Sequence, residues 1–400
     1  MSEHGQTNEG SPLERILLLT ARIDLTQAQR QELQALDLPS IDWERLVESA
    51  SRHKVVPLLT RHLDSIAWNG VPEGVRSALE AIRAKFESRA RFLEEELVAA
   101  FEVFAESGVP ALAFKGPVLA RSVYGGLPLR QAMDLDLLVR KNDLLLIRDL
   151  FAPLGFRPHL EAPETTDRSR LDSRYTYDYP LLRREPASLL ELHWAFAPSH
   201  CRFPLSFEVL WERRREVTVG GRRIPALSPE DRVLVLSFYA WRRRWERLGA
   251  LVDLSRSLCA PNLGWEGIFA EAERLSITRI LGIGLLESER LLGAAIPPAV
   301  KTWCYQDPRL PRLLDEVERG LRRRLLAPRE RFTPPDFLLM RARERRRDRI
   351  SYAIPAALRI ARPLRPEPRP WDYLSRLFRL LARYGPKPVT RLLAAIRQRG

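Results

Sequence analysis

The chain reads as an α/β (α+β) protein in which one strand-bearing segment, residues 109–227, lies between two helical regions. Three observations predict this. Residues 13–107 place apolar side chains at helical spacing; residues 109–227 hold short apolar runs of period two bounded by glycine and proline; and helical spacing returns from Ser228 to about residue 325. The expected organisation is a disordered N-terminus over 1–12, an N-terminal helical region over 13–108, the core over 109–227, a C-terminal helical region over 228–330, and a basic Pro/Arg-rich tail with short amphipathic helices over 331–400.

In chain order, residues 42–62 carry Leu46, Val47, Val55 and Leu58 at helical spacing, and residues 74–104 form a long, charged amphipathic pattern. Proline and glycine around 70–74 separate the two. The turn signal Glu106-Ser107-Gly108 then leads into a short buried strand over 109–114. Lys115-Gly116-Pro117 follows, opening a helical segment over 118–124 in which Pro117 suits the first helical position. Strand, glycine and helix start together make a geometry in which backbone N–H groups and the helix dipole hold an anion. Pro117 removes one N–H from such a cradle, and Lys115 compensates as a point charge. Only six of the 65 basic residues are lysines, which makes Lys115 more informative than an arginine there. The same residues are also compatible with a plain tight turn.

The run Met133-Asp134-Leu135-Asp136-Leu137-Leu138-Val139 places two carboxylates one residue apart in an apolar stretch. On a strand they share a face, roughly 7 Å apart along the chain. Like charges that close call for a cation, and a divalent metal carrying a nucleotide phosphate is the natural one. The motif is short, and either acid could instead cap a helix or pair with an arginine. Downstream, Ser188-Leu189-Leu190-Glu191-Leu192-His193-Trp194 is a second period-two stretch, with Glu191 and His193 on one face. Glu191 becomes a third carboxylate if the two strands are neighbours. Three acids opposite a glycine turn suit metal-assisted nucleotidyl transfer: two clamp metal, and the third orients or deprotonates the attacking group. His193 is an accessory candidate, although core histidines are common, and Trp194 reads as packing. Residues 216–224 read as a hairpin turning at Gly220-Gly221, and Ser228-Pro229-Glu230-Asp231 starts a helix with serine as N-cap.

These residues resemble a family. The elements Phe114-Lys115-Gly116-Pro117 continuing to Tyr124, then Leu129-Arg130, then Met133 to Val139, then Leu190-Glu191-Leu192-His193-Trp194 are similar to the uncharacterised bacterial nucleotidyltransferases of the DNA polymerase β-like superfamily. The flanks share the likeness, through Ile41 to Leu46, Arg52 to Pro57, Leu227 to Arg232, Trp245 to Leu248 and Leu251 to Leu254, so that it covers roughly residues 15–300. The resemblance implies a small mixed-sheet nucleotidyltransferase core between helical flanks. It implies Asp134 and Asp136 as metal ligands for Mg²⁺ or Mn²⁺, with Asp134, Asp136 and Glu191 as the catalytic acids. It also implies Lys115, Gly116 and Arg130 as nucleotide or phosphate contacts, with NTP as substrate. The chain departs from the superfamily in having Gly-Pro where Gly-Gly or Gly-Ser is usual, which removes a serine contact to the phosphates. A long polar insertion, residues 161–174, separates Glu191 from the first two acids. The residues alone leave Arg130 open to a surface pair with Asp143 or Asp149.

At 400 residues and 45% hydrophobic, the chain can bury a large core in two or three structural units. Cys201, Cys259 and Cys304 form no metal-type spacing, no apolar run of about 18 residues exists, and the first dozen residues lack the apolar stretch of a signal peptide. A cytoplasmic location follows as the expectation. The net charge of +14 is unevenly spread. Residues 341–400 hold 17 basic and four acidic residues, a net of +13, which leaves about +1 for the first 340. Residues 351–370, with five prolines and four arginines, read as an extended connector, and 371–383 and 388–399 as short basic amphipathic helices. Such a tail suits an anionic partner (a membrane surface, a protein or RNA) or is simply an arginine-rich solvated face. The function expected is metal-dependent transfer of a nucleoside monophosphate from an NTP to a hydroxyl-type acceptor: a small molecule, peptide or protein. The alternatives are a catalytically weak nucleotide-binding accessory protein of a biosynthetic cluster, and an RNA-acting enzyme that uses the tail.

Overall fold

A seven-stranded mixed sheet carries the middle of the chain in the computed structural model, which describes residues 11–159, 167–327 and 337–358. Helices α1 (Pro12–Thr20), α2 (Gln27–Ala35), α3 (Trp43–Arg52), α4 (Val56–Ser65) and the 35-residue α5 (Glu73–Ser107) precede it. The helical spacing over 42–62 belongs to two helices, α3 and α4. Pro57 cannot donate a helical hydrogen bond and its ring would strike the carbonyl of residue 53, so the chain breaks at His53 and Lys54 before restarting. Helix α5 ends on Gly108 in the left-handed conformation, as the turn signal predicts.

The strands are β1 (Ala111–Ala113), β2 (Leu135–Val139), β3 (Arg157–Pro158), β4 (Asp178–Arg183), β5 (Ser188–His193), β6 (Arg215–Val219) and β7 (Arg222–Ala226), in the spatial order β3-β4-β5-β2-β1-β7-β6. β2 is central and wholly buried, antiparallel to β1 and parallel to β5. The helices between β1 and β7 are α6 (Pro117–Leu119), α7 (Leu144–Phe151), α8 (Asp167–Asp172) and α9 (Phe207–Arg213). The helical segment expected over 118–124 is only the three-residue α6 followed by a π turn over Ala120–Tyr124. β4 was not legible because Pro180, which cannot donate to a ladder, interrupts its apolar pattern; its carbonyl instead accepts from the His159 amide at 2.9 Å. The β6–β7 hairpin turns at Gly220 and Gly221, both at positive φ as a tight two-residue turn requires.

Period two assigns the faces. Leu135, Leu137 and Val139 of β2, with Leu190 and Leu192 of β5, pack against Leu97, Phe101 and Phe104 of α5 and against Ile147 and Phe151 of α7. Leu138 points the other way, into a second core shared with the helical regions. Asp136 and Glu191 therefore face the helical regions.

That side is closed by α10 (Pro229–Arg242), α11 (Leu248–Ser257), α12 (Trp265–Leu275), α13 (Thr278–Leu292), α14 (Pro298–Tyr305), α15 (Leu310–Leu325), α16 (Phe337–Arg341) and α17 (Arg346–Leu358). Ser228 caps α10, its hydroxyl accepting from the Asp231 amide at 3.0 Å. Residues 338–352 pack onto these helices: Trp241 Nε1 donates to the Leu339 carbonyl, and the buried Arg343 pairs with Asp348 at 3.1 Å. Residues 351–358, expected as extended connector, continue α17 instead, because Ala353, Ala356, Ala357 and Leu358 are strong helix formers around a single proline. The other expectations for 1–10 and 359–400, including both short basic helices, lie outside the described residues. Among the described residues no helix is long and apolar enough to cross a membrane.

Helix α13 buries Glu287 completely, and neither of its carboxylate oxygens has a hydrogen-bond partner among the described residues. Burial first, then Glu318 and Asp315 of α15, push its carboxyl up to about 8; Arg290 and Arg322 oppose this without reversing it. The native chain thus keeps a proton that the unfolded chain releases near pH 4.5, so stability falls as pH rises from 4.5 to 8 and is level above that. Glu287→Gln is expected to remove most of this fall, about 3–5 kcal/mol. Urea unfolding at pH 4.5, 6 and 8 checks it: equal slopes against pH in variant and parent would refute the assignment.

Candidate active site

The parallel register of β2 and β5 sets Asp136 beside Glu191 and Leu138 beside His193. Period two then brings Asp136, Glu191 and His193 to one face, with donor atoms within 4.8 Å of one another. Lys115, two residues beyond β1, reaches the same point because the Phe114 amide extends the ladder to the Asp136 carbonyl. Its ammonium lies 3.2 Å from Asp136 Oδ1, and His193 Nε2 lies 3.2 Å from that same oxygen and 3.4 Å from Glu191 Oε2. The ammonium also sits 3.7 Å from the ring centre of Tyr239 on α10, a cation–π contact that ties sheet to helix.

The electrostatics follow from this crowding. Burial alone would raise Asp136, but the Lys115 ammonium and the His193 hydrogen bond outweigh it and hold the carboxyl well below the usual range. Burial works against a charged His193, yet its contacts with Asp136 and then Glu191 push it up to about 9. Lys115 is raised in the same way: burial opposes its charge and Asp136 overrides it. Asp134 is raised by burial, then by the Asp136 and Glu191 charges. It lies one residue before β2, outside the tight trio, and lines the same cleft.

Gly116 links Lys115 to α6 at φ +63 and ψ −139, and a Cβ there would stand 3.1 Å from the Asp134 carbonyl oxygen. Only glycine accepts that backbone and that approach comfortably. The anion cradle expected here is reduced, since α6 is one turn long and begins with Pro117.

Arg130 lines the cleft, and its partner is Asp253 of α11 rather than Asp143 or Asp149: Nε and Nη2 donate at 2.8 and 3.0 Å to the two carboxylate oxygens. Tyr124 donates to Asp253 at 2.5 Å. Asp253, Tyr124, Tyr239, Arg243, Arg247 and Lys54 were not picked out from the sequence, although Lys54, Tyr124, Arg247 and Asp253 fall inside stretches that carry the family likeness. All six line the cleft. It therefore has an acidic floor on the sheet and a cationic wall on the helices.

Adjacent-strand carboxylates facing a cationic helical wall across a cleft are the layout of an enzyme that handles phosphate esters. Within that class, residues 39–293 match the family described as Uncharacterised nucleotidyltransferase, and the chain belongs to it. No curated protein and no solved structure matches the chain. Membership makes the protein a transferase with a nucleotidyl-transfer role, and an NTP its implied substrate.

The Asp253–Arg130 pair is buried on both sides and spans sheet region and helices, so its loss leaves an uncompensated charge. Asp253→Ala is expected to lower the unfolding free energy by about 3–5 kcal/mol. A urea midpoint unchanged from the parent would show that the pair does not hold the two halves together.

Proposed function

We propose that the chain transfers a nucleoside monophosphate from an NTP to a hydroxyl-type acceptor (a small molecule, peptide or protein) in a reaction that depends on a divalent cation, Mg²⁺ or Mn²⁺. The observation that carries the reading is the Asp136–Glu191 strand pairing, with Asp134 on the same cleft. The donor set fits a hard cation: Asp136 and Glu191 pair across the strands with Asp134 on the same cleft, and burial followed by its two acidic neighbours raises Asp134, an effect that Lys54 and Lys115 oppose without reversing. Asp134 and Asp136 are the proposed ligands, and the bound ion would supply charge neutralisation at the phosphates.

The remaining work falls to the chain's own groups. The acceptor oxygen forms a bond to the α-phosphorus as the bond from that phosphorus to the bridging oxygen breaks, and pyrophosphate leaves. Glu191, hydrogen-bonded by His193 and partly open to the cleft, takes the acceptor's proton. Arg243 and Arg247 on the opposite wall balance phosphate charge. Lys115 holds Asp136 ionised and in place, and Gly116 keeps the backbone beside Asp134 narrow. Arg130, a phosphate contact in the family pattern, acts here through Asp253.

One observation favours a second reading, a nucleotide-binding accessory protein with weak catalysis: the Gly116–Pro117 turn has neither a serine nor a full helix behind it. No disulfide joins Cys201, Cys259 and Cys304 among the described residues, which supports the cytoplasm as location. The Asp134→Asn/Asp136→Asn double variant is expected to lose Mg²⁺-dependent NTP binding in calorimetry and to drop transfer by on the order of 10²–10³-fold or more. Full transfer by the double variant would overturn the reading; binding of NTP without any turnover by the parent would move it to the accessory protein.

A further inference from the structure

We propose that Lys54, from the N-terminal helical region, is the cation that grips the β- and γ-phosphates of the NTP; this rests on the nucleotidyl-transfer reading above. The two cations the family pattern supplies are already engaged. The Lys115 ammonium is buried against Asp136, and the Arg130 guanidinium is spent on both oxygens of Asp253. A triphosphate entering the cleft brings several negative charges, and those two groups cannot answer them without abandoning buried carboxylates.

Lys54 differs from both. Among the described residues lining the cleft it is the one contributed by the N-terminal region, it is exposed, and its ammonium makes no hydrogen bond or ion pair with the described residues. Its charge acts on Asp134 across the cleft. It is one of six lysines among 65 basic residues, so a flexible point charge stands where this chain usually places an arginine.

Its backbone is fixed at some cost. Lys54 follows α3 in the left-handed region at φ +60, where glycine or asparagine is usual and a long side chain costs on the order of 1 kcal/mol. The neighbouring His53 is locked onto α11. Its carbonyl accepts from the Gly249 amide at 2.9 Å, and its Nδ1 accepts from the Leu248 amide at 3.3 Å. A Cβ on Gly249 would lie 2.9 Å from the His53 oxygen and 3.3 Å from Lys54 Cβ, so the approach itself depends on glycine. The break between α3 and α4 thus serves to dock His53 on the helical wall and to turn Lys54 into the cleft beside Asp134, Arg243 and Arg247. An exposed lysine with only a structural role needs none of this.

Substitution separates charge from backbone. Lys54→Gly removes the ammonium while relaxing the left-handed residue, so its melting temperature is expected to equal or exceed the parent's. Calorimetry in Mg²⁺ uses whichever of ATP, GTP, CTP and UTP the parent binds most tightly, its monophosphate, and inorganic tripolyphosphate. Lys54→Gly is expected to weaken the NTP and tripolyphosphate about 10- to 100-fold and the monophosphate less than threefold, with Lys54→Arg intermediate. NTP affinity in Lys54→Gly within twofold of the parent overturns the assignment while leaving nucleotidyl transfer intact. Equal losses for NTP and monophosphate overturn the choice of β- and γ-phosphates. Failure of the parent to bind any of the four nucleotides overturns the nucleotidyl-transfer reading, and Lys54's role with it.

Discussion

Asp136 is an ionised carboxylate in the middle of a central strand, and the architecture of the site follows from keeping it there. A buried charge without partners costs several kcal/mol, far more than one side chain of packing returns. Lys115 and His193 supply the compensation, and each imposes a constraint of its own. Lys115 must arrive immediately after β1, which forces the chain to turn at once; only a glycine at positive φ makes that turn against the Asp134 carbonyl. His193 must lie one strand over and two residues past Glu191, which the parallel pairing of β2 with β5 delivers. The Lys115 ammonium then rests on Tyr239, so the charge that holds the sheet's centre also anchors the first helix of the C-terminal region.

A second set of polar contacts fixes the cleft's opposite wall. Arg130 and Tyr124, from the segment between β1 and β2, converge on Asp253 of α11. His53, from the N-terminal region, accepts two amides at the start of the same helix. Burial pushes the His53 imidazole down to about 4, so it stays neutral and Nδ1 is available as an acceptor. Helix α11 is thus held at its start by His53 and in its middle by Arg130 and Tyr124. The cleft runs along this seam, where three segments far apart in sequence meet.

Arginine does much of the remaining joining. Arg343 sits fully buried beneath Phe238 and Trp241, paired with Asp348, and Arg279 binds Asp307 at 2.5 Å. Part of the strong positive charge counted over the last 60 residues is therefore structural, since Arg343 and Arg349 are buried against the body of the protein. The planar guanidinium suits such roles because it satisfies several carbonyls and a carboxylate at once.

The sequence by itself determined the features governed by local rules. Period-two alternation placed Glu191 and His193 on one face of their strand, glycine pairs marked the hairpin, and Ser228 announced the start of α10; each depends on neighbours within a few residues, whereas the pairing of β2 with β5 that sets Asp136 beside Glu191 does not. The acidic floor of the cleft was legible for the same reason, and Gly116 through its position between strand and turn. Tertiary structure alone decided the partner of Arg130, because Asp253 lies 123 residues away and competes in sequence with nearer acids. It also decided that Lys115 is committed to Asp136 and that Lys54 enters the cleft. Pairing between distant charges is set by which surfaces are desolvated together, and no local periodicity encodes that.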